Sequence, residues 1–146
     1  GYRVAICTNK PEALAELLLT RLGVREAFGA MLGADTLSVR KPDPEHLFET
    51  ARRAGGDPAQ CVLIGDTETD RKTARAAGVP CVLVTFGPGG ADVAALEPEA
   101  LLDNFADLPE VVERLLGAAA CWSSVSPAVS PSRSRSPNRR SRRPSR

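Results

Sequence analysis

Five residues combine chemical type and spacing in a way that suits one chemistry. Thr8 and Asn9 follow the apolar run Val4-Ala5-Ile6-Cys7 and precede Pro11, a residue that fits the first turn of a helix. A hydroxyl and an amide between a strand and a helix N-terminus can hold phosphate oxygens, because orphan N–H groups and the helix dipole favour an anion there. The same two residue types also cap helices, and the sequence alone leaves both readings open. Lys41 sits in Lys41-Pro42-Asp43-Pro44, where the prolines stiffen the chain on its C-terminal side. Its ammonium can meet a phosphate or a carboxylate, or simply stay in water. Asp66 and Asp70 lie four apart just after Cys61-Val62-Leu63-Ile64. On a turn entering a helix both carboxylates can face one point, and hard oxygen ligands of that kind suit Mg²⁺. The competing reading is an N-cap aspartate with a second acid on the helix dipole.

Taken together, a hydroxyl and an amide for phosphate, a lysine for charge and carboxylates for a divalent cation make a phosphoryl-transfer constellation. A nucleophile is not evident. The only histidine, His46, follows Pro44 at a helix start and reads as a surface residue, so no Ser–His or Cys–His pair is expected. Gly87-Pro88-Gly89-Gly90 is followed by no Lys-Ser/Thr and reads as a turn at the rim of the site rather than a phosphate-cradling Walker loop.

The elements that must position these residues alternate. Val4–Cys7 reads as a buried strand, and Glu12 to Leu22 as a helix with Leu14, Leu17, Leu18 and Leu22 on its apolar face and Gly23 as its stop. Ala30–Gly33 is a weaker strand. Asp43 and Pro44 open a helix that runs to about Ala54. Cys61–Ile64 is a continuous apolar run, the pattern of a parallel strand covered on both faces. A helix through Ala74, Ala76 and Ala77 stops at Gly78, and Val79–Thr85 is another strand. Two short helical stretches follow, the last over Pro109–Leu116. Strands alternating with helices define an α/β fold with a parallel sheet and flanking helices. Ligands in such sheets bind beyond the carboxyl ends of the strands, where all five residues fall.

Charge divides the chain. The whole carries 19 Lys+Arg, 18 Asp+Glu and a net +1, but seven of the arginines and none of the acids lie in 118–146. Residues 1–117 are left with 12 basic and 18 acidic residues, a net of −6. Two parts are therefore expected, a domain over 1–117 and a disordered Ser/Arg/Pro-rich tail over 118–146. No apolar run reaches the roughly 18 residues that cross a bilayer. The four cysteines form no CxxC pair. Three lie in apolar runs and read as free thiols, for which a cytoplasmic setting is the simplest. The chain opens at Gly1 on what reads as a strand without a lead-in, and its one methionine is Met31, the pattern expected of an N-terminal truncation.

Val4-Ala5-Ile6-Cys7-Thr8-Asn9-Lys10-Pro11, then Lys41-Pro42-Asp43-Pro44, then Ile64-Gly65-Asp66-Thr67-Glu68-Thr69-Asp70 with Ala76-Ala77-Gly78 resemble, in that order and over about residues 1–117, the haloacid dehalogenase superfamily. Within it the likeness is to bacterial phosphoglycolate phosphatases. The resemblance implies a Rossmann-like core, a small phosphorylated metabolite as substrate and Mg²⁺ as cofactor. It implies that Thr8 and Asn9 bind the transferring phosphate and that Lys41 stabilises its charge. Asp66 would ligate the metal, and Asp70 would ligate it or orient Lys41 and metal-bound water. In the family an Asp-x-Asp motif on the central strand supplies the nucleophile and the acid/base, and a helical cap selects the substrate. This chain contains no Asp-x-Asp. The resemblance thus implies that the central strand, between Val4–Cys7 and Cys61–Ile64, is missing, leaving two apolar strands with exposed edges. Gly65 stands where mutases related to phosphoglucose chemistry commonly carry an acidic residue. A pyrophosphatase or another small-molecule phosphatase is the alternative within the family.

The tail suggests a competing class. Ser132-Arg133-Ser134-Arg135-Ser136-Pro137 resembles the arginine/serine-rich regions of RNA-processing proteins, yet no aromatic stacking motif accompanies it. The expected partner is the small metabolite, with no membrane and with nucleic acid only non-specifically through the tail. Accordingly, any RNA binding by the intact chain should weaken with salt at a log–log slope no steeper than about −5 for seven arginines. Deleting 118–146 should abolish it, which a filter-binding titration across ionic strength checks.

Overall fold

Cys81-Val82-Leu83-Val84 is buried at every residue, and its side chains go alternately to two cores. Period-two alternation sends Cys81 and Leu83 to one face, where Leu47, Leu63, Ala74, Val79 and Val93 pack with them. Val82 and Val84 go to the other, with Ala100 and Leu102. A strand covered on both faces reads as an unbroken apolar run, which is why its pattern shows no alternation in sequence. In the computed structural model the described residues are 1–122, with side chains described to Gly117.

The elements in order are β1 (Ala5–Cys7), α1 (Glu12–Arg21), β2 (Ala30–Leu32), α2 (Pro44–Arg53), β3 (Leu63–Gly65), α3 (Glu68–Ala77), β4 (Cys81–Val84), β5 (Ala100–Leu102) and α4 (Leu108–Trp122), with short 3₁₀ turns between. All strand pairs are parallel. β1 pairs with β2, Ala5 opposite Ala30 and Cys7 opposite Leu32. β3, β4 and β5 form a second sheet, with Leu63 opposite Cys81 and Val82 opposite Ala100. β1 and β3 are not hydrogen bonded to each other, and among the described residues each has one edge without a strand partner. These are the two strands between which the resemblance implied a further one. The link between the sheets is α2, which packs on β1, β2 and α3.

Local signals set the boundaries. Asp43 caps α2 by accepting from the Glu45 N–H at 2.9 Å, with Pro44 in the first turn. Gly78 ends α3 in the left-handed region at φ 68°, where a side chain would be strained. A buried guanidinium fastens α3 to the chain before β5. Arg71 donates from Nη1 to both Glu99 oxygens at 2.7 and 3.0 Å and from Nε to the Leu96 carbonyl. Glu99 also accepts from the Cys81 N–H at 2.7 Å, which ties the start of β4 into the same knot.

Several features differ from the sequence expectation. The strands expected to be buried at Val4–Cys7 and Cys61–Ile64 are only partly so, Val4 being 53% and Ile64 36% exposed. β5 was not foreseen; its three residues lie between Thr85 and Pro109, a stretch for which no strand was expected. α4 runs to Trp122, past the expected end at Leu116. Of the segment 118–146 expected to be disordered, residues 123–146 lie outside the described residues. Most tellingly, the apolar face of α1 points outward. Only Ala15 is buried, while Leu14, Leu17, Leu18 and Leu22 are 47–63% exposed. Helical periodicity does place these leucines on one side, but no described residue covers that side.

β2 ends against the first turn of α1 so closely that a Cβ at Gly33 would collide with the backbone of Glu12. Gly33→Ala should therefore cost about 1–3 kcal/mol, the usual price of overpacking, since backbone rather than a flexible side chain must move. A urea denaturation series on the variant measures it.

Candidate active site

The loops after β1, before α2 and after β3 meet at the carboxyl ends of the strands. Asn9 donates from Nδ2 to the Lys41 carbonyl at 2.9 Å. Lys41 Nζ donates to Asp70 Oδ1 at 2.6 Å, in an ion pair whose side chains are only 10% and 6% exposed. Asp70 Oδ2 accepts from the Asp66 N–H, the Thr67 N–H and the Thr67 hydroxyl at 3.2, 3.1 and 2.8 Å. Asn9, Lys41, Asp70 and the Asp66–Thr67 turn are thus one connected network, built from residues 9 to 70.

Burial raises the Asp70 carboxyl. The Lys41 hydrogen bond and charge, then the Thr67 hydroxyl and the Asp66 N–H, outweigh it and hold the group below its ordinary value. Gly65 makes this geometry possible: a Cβ there would run into the Asp70 carboxylate itself. Asp66 is half-buried, and no described side chain pairs with its carboxylate. Gly87 closes against it, since a Cβ on Gly87 would lie 2.8 Å from Asp66 Cβ. Gly87-Pro88-Gly89-Gly90 is therefore at the rim, as its composition suggested. Beside Asp66 an open depression of about 400 Å³ is lined by Thr67, Glu68, Pro88, Gly89, Asp92, Val93 and Leu96.

Thr8 and Asn9 do not cap α1. Its N-cap is Pro11, without a side-chain bond, and the Glu12 N–H is instead satisfied by Asp35 Oδ1 at 2.7 Å. The Thr8 hydroxyl accepts from the Lys10 N–H at 3.1 Å, turning the loop on itself, and Asn9 is exposed. In place of capping, Thr8 closes its own loop and Asn9 ties that loop to the Lys41 backbone.

Two expectations are corrected. His46 is not at the surface but wholly buried. It also pairs with a cysteine: its Nδ1 lies 3.2 Å from Cys7 Sγ, and its Nε2 2.8 Å from the Gly33 carbonyl. The inner face of α2 could have revealed it, because residues 46, 50 and 54 share one side of a helix and Thr50 and Ala54 are both buried. The Cys7–His46 contact is no thiolate couple: burial pushes the Cys7 thiol up, although the Lys41 charge opposes this. Thr67 was also missed as a partner of Asp70, although Thr67-x-x-Asp70 has the spacing of a capping box.

Parallel strands, crossover helices and polar loops at their carboxyl ends define an α/β enzyme-like fold with a charged site at the strand mouths. Residues 1–78 match the family described as hydrolase: haloacid dehalogenase-like hydrolase, and the chain belongs to that family. Over 120 residues it is 48% identical to a phosphoglycolate phosphatase of Mesorhizobium japonicum, covering 82% of this chain and 53% of that protein. A crystal structure of a predicted phosphoglycolate phosphatase from Haemophilus somnus superposes with a TM-score of 0.68 at 32% identity, over 76% of this chain and 50% of that one. CbbY from Rhodobacter sphaeroides, solved in complex with phosphate, gives 0.63 at 26% identity, over 74% and 49% of the two chains. The chain spans about half the length of the curated relatives it matches.

The depressed Asp70 carboxyl has a pH signature. Its contribution to stability is complete above the unfolded value near 3.9 and is lost as pH falls through the lower folded value. Asp70→Asn leaves Lys41 buried without its counter-ion and should cost about 3 kcal/mol near neutrality. In urea unfolding series from pH 7 to pH 2, the gap to the wild type should persist to about pH 4 and shrink below it.

Proposed function

We propose that these residues form the charge-recognising half of a Mg²⁺-dependent phosphomonoester hydrolase, with 2-phosphoglycolate as the substrate. The observation that carries the reading is the Lys41–Asp70 pair, which holds one ammonium at the strand mouths and joins it to Asn9 through the Lys41 backbone. Thr8 would donate its hydroxyl, and Asn9 the amide hydrogen not given to Lys41, to phosphate oxygens. Lys41 would balance the charge that gathers on the transferring phosphoryl group.

The donor set suits Mg²⁺ in the way that ion is usually held, by one or two carboxylates with water completing the octahedron. Asp66 would ligate it, having a half-buried carboxylate with no described side-chain partner. Both oxygens of Asp70 already accept hydrogen bonds, which supports its acting by orienting Lys41 rather than by direct ligation. When bound, the ion would neutralise phosphoryl charge. Gly65 supports hydrolysis over mutase chemistry, because an acidic side chain there would have to displace Asp70.

The nucleophile is proposed to lie outside these 146 residues. Burial pushes the Cys61 thiol up to about 11 and the Cys81 thiol to about 12, so both stay protonated near neutrality and are poor nucleophiles. An aspartate entering beside β1 and β3 would attack phosphorus and form an aspartyl-phosphate, which water then hydrolyses. The names of the relatives, all phosphoglycolate phosphatases among those most alike, support the substrate, and a cytoplasmic setting goes with it.

The isolated 146-residue chain is then expected to bind inorganic phosphate without hydrolysing phosphoglycolate, with or without Mg²⁺. Lys41→Ala should weaken phosphate binding by roughly tenfold or more, the worth of one charge-assisted hydrogen bond. Calorimetric titration and a phosphate-release assay read the two outcomes. Equal affinities in the wild type and the variant would count against the site.

A further inference from the structure

His46 takes no part in the chemistry proposed above, yet it is the only fully buried imidazole and sits between the loops that carry that chemistry. The Gly33 carbonyl can only accept, so in the neutral ring the proton is on Nε2 and Nδ1 carries a lone pair. Cys7, whose thiol burial keeps protonated, then donates to that lone pair at 3.2 Å. One ring therefore grips the last residue of β1 and the residue that follows β2, from the first turn of α2, five residues beyond Lys41.

The same loops are joined by backbone bonds. The Thr8 N–H donates to the Leu32 carbonyl and the Ala34 N–H to the Lys10 carbonyl, both at 3.0 Å. Asn9 reaches the Lys41 carbonyl at 2.9 Å. Lys10 and Asn9 are exposed, so water competes for their bonds, whereas the Nε2 bond to Gly33 is buried. An apolar ring at position 46 would fill the same space, remove the Cys7 thiol's imidazole partner and leave the buried Gly33 carbonyl only its longer bond from the Thr36 N–H at 3.3 Å, a costly change for buried polar groups. We propose that His46 is a positioning residue that fixes the Thr8–Lys10 loop against the Gly33–Ala34 turn and the Lys41 loop, so that Thr8, Asn9 and Lys41 converge on one anion. The loop geometry stands on its own; only its purpose rests on the phosphate reading.

Amide hydrogen exchange on the full chain tests it by NMR, with Thr8 and Ala34 as reporters inside the cluster and Leu63 and Thr85, bonded to Pro80 and Leu102, as controls outside it. His46→Phe and the milder Cys7→Ala should each speed exchange at Thr8 and Ala34 by about tenfold while leaving the controls within about twofold, the loss of one buried bond felt locally. Cys7→Ser, which keeps a donor for Nδ1, should restore protection. A uniform change at all four amides, or none, overturns the proposal, because a residue that merely fills the core would act globally. Should His46→Phe fail to fold, the Cys7 pair decides alone. Inorganic phosphate affinity is read on the same samples. Selective loss of protection with unchanged phosphate affinity would keep the positioning role and overturn the phosphate-site reading.

Discussion

No backbone ladder joins the sheet of β1 and β2 to that of β3, β4 and β5, so their alignment at the strand mouths falls to side chains. The Lys41–Asp70 ion pair is the contact that does this at the site. Burying two charges costs several kcal/mol per ion, and the attraction repays that only when the remaining hydrogen-bonding capacity is satisfied. Here it is: three donors serve Asp70 Oδ2 while Lys41 occupies Oδ1. The need explains the neighbouring residues. Gly65 must lack a side chain for the carboxylate to fold beneath it, Thr67 must carry a hydroxyl, and Asn9 holds the Lys41 backbone from the other sheet. Three residues of otherwise unrelated type follow from one buried pair.

The same pair sets what the site can do. A lysine committed to a buried aspartate is held in one place, which a solvated lysine is not. Its other two N–H bonds remain for a ligand, so the pair can offer positive charge to an oxyanion without reorganising. Proton transfer is a different matter. The pair's carboxyl, held below its ordinary value by Lys41 and Thr67, stays ionised near neutrality. Its geometry therefore serves electrostatic stabilisation better than acid–base work, which must come from another group.

The sequence made legible those features that depend on near neighbours. Asp43 and Pro44 at the start of α2, Gly78 at the end of α3 and the apolar run of β4 each follow from local backbone chemistry, and each was placed to within a residue or two. That the five candidate residues share the strand mouths was legible for a topological reason: a parallel sheet brings its carboxyl ends together, so loops far apart in sequence meet. What failed to show depends on distant partners. His46 meets Cys7 across 39 residues, and nothing in Pro44-Glu45-His46 says so. β5 is three residues long and gains its identity from pairing with β4 rather than from its own pattern. The leucines of α1 mark a third kind of failure. Periodicity shows that an apolar face exists, and says nothing of whether a surface is present to receive it.

That exposed face and the open strand edges belong to the same side of the argument. Leu14, Leu17, Leu18 and Leu22 each forgo roughly 1–2 kcal/mol of burial at about half exposure, and β1 and β3 leave ladder groups unpaired. The cores around β4 are by contrast complete on both faces. Stability is therefore concentrated in the β3–β5 half, which carries Asp66 and Asp70, while the β1–β2 half, which carries Thr8 and Asn9, depends on α2, His46 and Lys41 for its position. The carboxylates are then the fixed reference of the site and the loop of Thr8 and Asn9 the adjustable part. A group pairing with the open edge of β1 would act first on the loop of Thr8 and Asn9 that follows it, so the state of that edge and the placement of that loop are physically coupled.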